Sequence, residues 1–534
     1  MGPASPQLLV ETESLAPTPI EALSLPSREG RTGRYLRGVP RSSGHRRHQR
    51  AGSNRRYGDG WFARSPRPSL SGVGGEVTPT LLFAVFAMLV LVVSGAGVYA
   101  ITMPPPVASS APFAPEIDHV VIIMMENRAY DNYFETYCLR LGAYCNSTGR
   151  GVAPGTCEPQ MNVSRGCVVP YAFTAKKLTT PDLPHRYNST IPAIDGGKMD
   201  GFYTAEGNTT EPFGHYNGTT IPVYWDMAQE FEIGDNFFSS ALSYSLPNHW
   251  YLIAGQAPPE IIKSNPQLTE TTTQRHIYLN ESNSTKTVED LLNNSGVTFR
   301  YYDSALPTYQ KAIATKYGAA YSLFNPMAAK AESYTQYFDY HYVDRDQIFT
   351  DLKSGKLPDI SYVIPQISFS DHPPANITLG EAFVANVVDA IEFSPYWNHT
   401  AIFLSWDDYG GWFDSQAPPK LDPLGLSFRV PFIVISPYTP AGTVDHNLGY
   451  FESTLAFIEY RWNLHKDCLT ARDCNAPWLL SYFNFTMKPR APVFFDPNWL
   501  NDTYPYHSET YKPSDLVTTM WMGNDDDLTD TEAD

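Results

Sequence analysis

The chain has 534 residues, 42% of them hydrophobic and 18% charged, with a formal net charge of −18. That length exceeds one average domain and suffices for a full core, so one large catalytic unit with appendages is expected. Most of the molecule is too acidic to take a polyanion such as nucleic acid as its general partner.

Residues 1–80 hold twelve arginines against six acids, a charge of +6 that leaves −24 on the remainder, and they are rich in Pro, Ser and Gly. Such a segment buries too little apolar surface to offset its chain entropy and reads as a disordered tail. The stretch 81–101 carries no charge and is long enough as a helix to cross a bilayer, so 81–102 reads as a transmembrane anchor. A signal peptide is the competing reading, but its apolar region is shorter and closer to the start of a chain. The arginines before the anchor place the tail in the cytoplasm and the rest outside, with anionic inner-leaflet lipid the nearest partner of the tail. Residues 103–115 are a Pro-rich spacer, 116–500 the folded catalytic domain, and 501–534 an acidic tail ending in Asp525, Asp526, Asp527, Asp530, Glu532 and Asp534.

All six cysteines lie beyond the anchor, and Cys138/Cys145, Cys157/Cys167 and Cys468/Cys474 are the simplest of the fifteen pairings. Metal ligation is the alternative, but no Cys-x-x-Cys spacing is present. Twelve Asn-x-Ser/Thr sequons fall in the same region, as an exported glycoprotein requires.

Within the folded part, 117–125 is an apolar run suited to a buried parallel strand, and 360–364, 401–405 and 430–436 are further candidates. Between them 380–393 repeats Phe383, Val384, Val387, Val388 and Ile391 at helical spacing. Strands alternating with helices imply an α/β fold with a mainly parallel sheet sandwiched by helices, whose sites collect at the carboxyl ends of the strands. The segment 138–218, rich in Cys, Gly and sequons, reads as an irregular cap insertion.

Three strings carry chemistry. Glu126-Asn127-Arg128 follows the first strand, and a carboxylate and an amide oxygen there are hard ligands for a divalent metal. Asp407 and Asp408 follow the 401–405 strand inside the frame Trp406-Asp407-Asp408-Tyr409-Gly410-Gly411-Trp412-Phe413-Asp414. Side chains alternate along a strand, so the two carboxylates share one centre only where the chain turns, and their repulsion calls for a cation. A turn cap is the plainer reading of the pair. In Ser243-Tyr244-Ser245-Leu246-Pro247-Asn248-His249 a hydroxyl opens an apolar helix, where a seryl oxygen beside a metal ionises and an amide can donate to a phosphoryl oxygen.

Taken together with Leu183-Pro184-His185, Gly197-Lys198-Met199-Asp200-Gly201-Phe202, Asp371-His372-Pro373-Pro374 and Phe428-Arg429-Val430-Pro431, the chain resembles the phosphoesterase family of bacterial phospholipases C and AcpA-type acid phosphatases, related in fold to alkaline phosphatase. The resemblance implies that Glu126, Asn127, Asp407 and Asp408 hold a divalent metal against Ser245, the nucleophile. It implies too that His185 and His372 contact the phosphoryl group or protonate the leaving oxygen, and that Asn248 is a further phosphoryl donor. His446 matches another family position without an assigned role. Many family lipases have Thr at the Ser245 position, Arg at the His249 position and Asp-His where this chain has Asp414-Ser415, while Ser-x-Pro-Asn-His is also similar to a nucleotide pyrophosphatase string. The expected function is therefore a membrane-anchored, extracytoplasmic, metal-dependent phosphoesterase working through a seryl-phosphate on phosphate esters, phospholipids among them. An acid phosphatase of the same family and a non-catalytic surface glycoprotein are the alternatives.

Overall fold

Eight strands form one sheet in the computed structural model: β1 (His119–Met125), β2 (Glu232–Gly234), β3 (Phe299–Asp303), β4 (Tyr342–Asp344), β5 (Ile360–Ile364), β6 (Thr400–Trp406), β7 (Phe432–Ile435) and β8 (Thr443–Asp445). Residues 113–137, 151–258, 261, 284–303, 326 and 341–495 are described, all within the compact unit Pro104–Asp534. The expected tail, the anchor at 81–102, nearly all of the spacer, the Cys138/Cys145 pair and the acidic tail lie outside the described residues. Among the described residues no helix is long and apolar enough to cross a membrane.

The sheet order is β8-β2-β7-β6-β1-β5-β3-β4. β6, β1, β5, β3 and β4 run parallel, β7 is antiparallel to both of its neighbours, and β8 is parallel to β2. Only β7 therefore departs from a common direction, although its apolar run alone reads like its parallel neighbours. Every residue of β5, β6 and β7 is buried. Because successive side chains point to opposite faces, the sheet is covered on both sides, which is why these strands are mainly apolar along their whole length rather than alternating. The short strands β2, β3, β4 and β8 gave no such run in the sequence.

The helix expected over 380–393 spans Ile377–Glu392, beginning at Asn376, whose side chain accepts from Thr378 N–H. Cys157–Cys167 and Cys468–Cys474 are disulfides, each with Cα atoms 5.5 Å apart. The first closes a short antiparallel pair, Glu158–Pro159 with Cys167–Val168, in the irregular segment before β2.

Candidate active site

β1 and β6 pair in register from His119↔Thr400 to Met125↔Trp406, so the residues that follow them emerge side by side. Asp407 N–H donates to Met125 O at 2.9 Å, and Asn127 N–H donates to Asp407 Oδ1 at 2.8 Å. The backbone pairing of two adjacent parallel strands thus brings Glu126 and Asn127 against Asp407 and Asp408. Asn127 has φ 59°, and Gly410, with φ 58°, closes the turn after the aspartates. A Cβ on Gly410 would lie 2.3 Å from Asn127 O, so glycine is required by both conformation and space. Asp408 Oδ1 accepts from Gly410 N–H at 2.7 Å, fixing that carboxylate.

Ser245 opens the helix Ser245–Ala254, with its Oγ 3.3 Å from Asn127 Oδ1 and 3.5 Å from Asp408 Oδ2. His249 lies one helical turn on, at i+4 and hence on the same face. Its Nε2 is 2.9 Å from Glu126 Oε1 and 4.0 Å from Asp407 Oδ2. Glu126, Asn127, Ser245, His249, Asp407 and Asp408 are all buried. Burial, with the Asp407 charge next, pushes the Glu126 carboxyl well above the usual carboxylate range, and burial pulls His249 down to about 4.

Ligand atoms of Glu126, His249 and Asp407 lie within 4.8 Å of one another. Glu126 Oε2 and Asp407 Oδ2 are buried with no hydrogen-bond partner. Buried carboxylates crowded together at strand ends, each with one oxygen left unbonded, are costly, and a divalent cation is the group that offsets the cost, so the residues present fit a metal. The sequence assigns His249 no metal role, and its place one turn beyond Ser245 is the signal for its nearness to the centre.

His185 is brought to the same centre. Its Nε2 is 3.5 Å from Asn127 Nδ2 and 4.0 Å from Asp408 Oδ2, while Nδ1 is 2.6 Å from Leu183 O. That carbonyl holds the proton on Nδ1 and turns Nε2 toward the Ser245 side. His372 lies in the loop after β5, whose Ser370 O accepts from Glu126 N–H at 2.8 Å. Its Nδ1 sits 2.6 Å from Pro373 O, and its buried Nε2 has no partner. Asp371 beside it is structural: Tyr133 OH, Tyr224 OH and Trp406 Nε1 all donate to its Oδ2 at 2.9–3.0 Å.

Asn248 is where the geometry departs from expectation. Its Oδ1 accepts from Ser240 N–H and Ala241 N–H at 3.1 and 2.8 Å, and its Nδ2 donates to Ser243 O and Tyr244 O at 3.1 Å each. Both N–H bonds and both lone pairs are committed to backbone, leaving no donor for a phosphoryl oxygen, so this amide pins the 240–244 loop that delivers Ser245. His446 pairs with buried Asp235 through Nδ1 at 2.7 Å. Asp414 belongs to a buried ion network: Arg429 Nη2 donates to Asp414 Oδ1 at 2.6 Å and to Asp131 Oδ1 at 2.9 Å.

This chain is similar to phospholipase C B of Mycobacterium tuberculosis, 25% identical over 417 residues that cover 70% of this chain and 79% of the relative. It is also similar to non-specific phospholipase C6 of Arabidopsis thaliana, 25% identical over 426 residues that cover 70% and 74%. Among solved structures, a protein in the alkaline phosphatase superfamily from Vibrio parahaemolyticus matches at 12% identity over 68% of this chain and 70% of its own, with a TM-score of 0.34, too low to carry weight. The phosphoesterase family model matches residues 117–465, the span that holds all of the candidate site side chains, and the chain belongs to that family of hydrolases acting on phosphoric ester bonds.

Proposed function

We propose that the protein is a membrane-anchored, extracytoplasmic phosphoesterase that transfers the phosphoryl group of a phosphate ester to Ser245, in the manner of a phospholipase C. The observation that carries this reading is the seryl oxygen 3.3 Å from Asn127 Oδ1 and 3.5 Å from Asp408 Oδ2, one turn before His249 and at the mouth of its helix. Asn127, Asp408, Glu126, Asp407 and His249 are the residues that would hold a divalent ion. Such an ion would lower the pKa of the seryl hydroxyl and offset charge on the transferring group.

In the first step a histidine takes the Ser245 hydroxyl proton as the Oγ–P bond forms, the P–O bond to the leaving alcohol breaks, and the departing oxygen takes that proton from the histidine. In the second, water adds to phosphorus, the P–Oγ bond breaks, Ser245 recovers its proton and the phosphate product leaves. His185 is suited to the proton transfers because Leu183 O orients its ring with Nε2 facing Asn127 and Asp408. His372 is the second candidate through its unpartnered buried Nε2. An imidazole among the ligands favours zinc or iron over calcium and magnesium.

The uncharged 81–101 stretch, the arginine-rich tail, the sequons and two disulfides support the anchored, exported topology. Relatives named phospholipases C at about a quarter identity support a phospholipid substrate.

The test is hydrolysis of p-nitrophenyl phosphate, p-nitrophenyl phosphorylcholine and phosphatidylcholine by the purified full chain, with and without chelator, beside Ser245→Ala and His249→Ala. Expected are turnover abolished by chelator and by Ser245→Ala, and a tenfold or greater rise in the metal concentration that His249→Ala needs for half-activity. Preference for the monoester would make the protein an acid phosphatase. No turnover across pH and added metals would favour a surface glycoprotein.

A further inference from the structure

Glu206 follows the short helix α1 (Phe202–Ala205), its N–H donating to Phe202 O at 3.0 Å. Phe202 is buried with its ring 5.1 Å from those of Phe413 and Phe428, so α1 is fastened to the loop that bears the aspartates. The carboxyl end of Glu206 reaches the turn of that loop: a Cβ on Gly411 would lie 3.0 Å from Glu206 Oε2 and 2.4 Å from Leu183 Cβ. Its charged neighbours are His185 and Asp182, and Asp182 Oδ1 is 3.8 Å from His185 Nδ1.

Glu206 is 3% exposed, and neither of its oxygens has a hydrogen-bond partner; no other carboxyl among the described residues has both oxygens buried and unbonded. A buried carboxyl left so is disfavoured by a few kcal/mol unless something outside the chain bonds it. Glu206 lies against the Gly411 turn and within electrostatic reach of His185, the imidazole that faces Asn127 and Asp408, so that something would sit on the His185 side of the phosphoryl centre.

We propose that Glu206 is a specificity-determining residue that hydrogen-bonds a hydroxyl on the alcohol portion of the substrate, so that the protein prefers phosphate esters of polyols. This rests on the phosphoesterase reading of the Ser245 centre. A hydroxyl both donates and accepts, matching a neutral carboxyl that offers one O–H and one lone-pair oxygen. Burial supports the neutral form, raising the group to about 9 against the opposing pull of His185. A quaternary ammonium has no proton to donate and calls for an ionised carboxylate, which the site disfavours.

The experiment compares kcat/KM of the full chain, metal-loaded, for polyol and choline esters within two matched sets: glycerol phosphate against phosphocholine, and phosphatidylglycerol against phosphatidylcholine. Wild type should favour the polyol by about tenfold in whichever set it turns over, Glu206→Gln should keep that ratio within threefold, and Glu206→Leu should lower it by about tenfold, the weight of one buried hydrogen bond. A wild-type ratio at or below one, or a ratio unchanged by Glu206→Leu, overturns the proposal, and the wild-type ratio alone decides it should the leucine variant fail to fold. If neither set is turned over, the phosphoesterase reading fails on its own account. Calorimetric binding of glycerol phosphate against inorganic phosphate then reads Glu206 separately: a tenfold weakening confined to glycerol phosphate in Glu206→Leu supports the contact, and equal affinities refute it.

Discussion

Arg429→Met removes the guanidinium at the centre of a buried network. Arg429 Nε donates to Asp414 at 3.0 Å, Nη2 to Asp414 and Asp131 at 2.6 and 2.9 Å, and Nη1 to Asp235 O at 3.1 Å, with the guanidinium 4.6 Å from the Tyr130 ring. Methionine preserves much of the volume but strands two carboxylates, and breaking a buried pair from one side costs about 3–5 kcal/mol. For a domain of about 380 residues the unfolding entropy is about 0.8 kcal/mol/K, so a loss of about 4 kcal/mol lowers the melting temperature by about 5 °C. The loss depends on pH. Asp414 stands at about 7 even beside Arg429, raised by burial and held down by the guanidinium. Without the guanidinium it rises further above its unfolded value of about 3.9. The folded variant then binds more protons than the unfolded one throughout that window, so its stability falls as pH climbs and the deficit is larger at pH 8 than at pH 5. Denaturant melts of both proteins at the two pH values measure it. A deficit below about 1 kcal/mol, or one equal at both pH values, would refute the assignment of a charged, solvent-excluded network.

Two other substitutions probe the site's frame. Gly410→Ala places a methyl 2.3 Å from Asn127 O at φ 58°, and should cost about 2–4 kcal/mol and at least about a hundredfold in turnover, because it separates Asn127 from Asp408. Gly196→Ala, at φ 68° with nothing within 4 Å, is its control and should cost about 1 kcal/mol with turnover retained. Asn248→Ala should lower stability by about 2–4 kcal/mol through four lost backbone contacts while inhibition by inorganic phosphate stays within threefold; the opposite pattern, normal stability with weakened phosphate inhibition, would restore it as a phosphoryl donor.

The sheet was legible where burial on both faces wrote long apolar runs, as in β1, β5 and β6. It was illegible where strands are three residues long, as in β2, β4 and β8, because so short a run has no period to read. The direction of β7 was hidden for a different reason: a strand buried on both faces has the same composition whichever way it runs. Disulfides at the two described pairs followed from short spacing, which limits the geometry more than composition does.

Site residues divide along the same line. Glu126, Asn127, Asp407 and Asp408 each sit at the end of an apolar strand, so knowing that two strands are neighbours and parallel suffices to bring them together, and the register Met125↔Trp406 does so. Asn248 looks equally polar in the string, yet whether an amide faces a ligand or its own loop depends on contacts with residues 240, 241, 243 and 244 that no spacing rule encodes. His249 is the converse: its local signal, one turn beyond Ser245, is clear, but its meaning comes from Glu126 arriving 2.9 Å away from a strand 123 positions earlier in the chain. These two neighbouring residues of one helix have opposite duties because successive positions on a helix are about 100° apart, which turns Asn248 back toward the 240–244 loop and His249 toward the carboxylates.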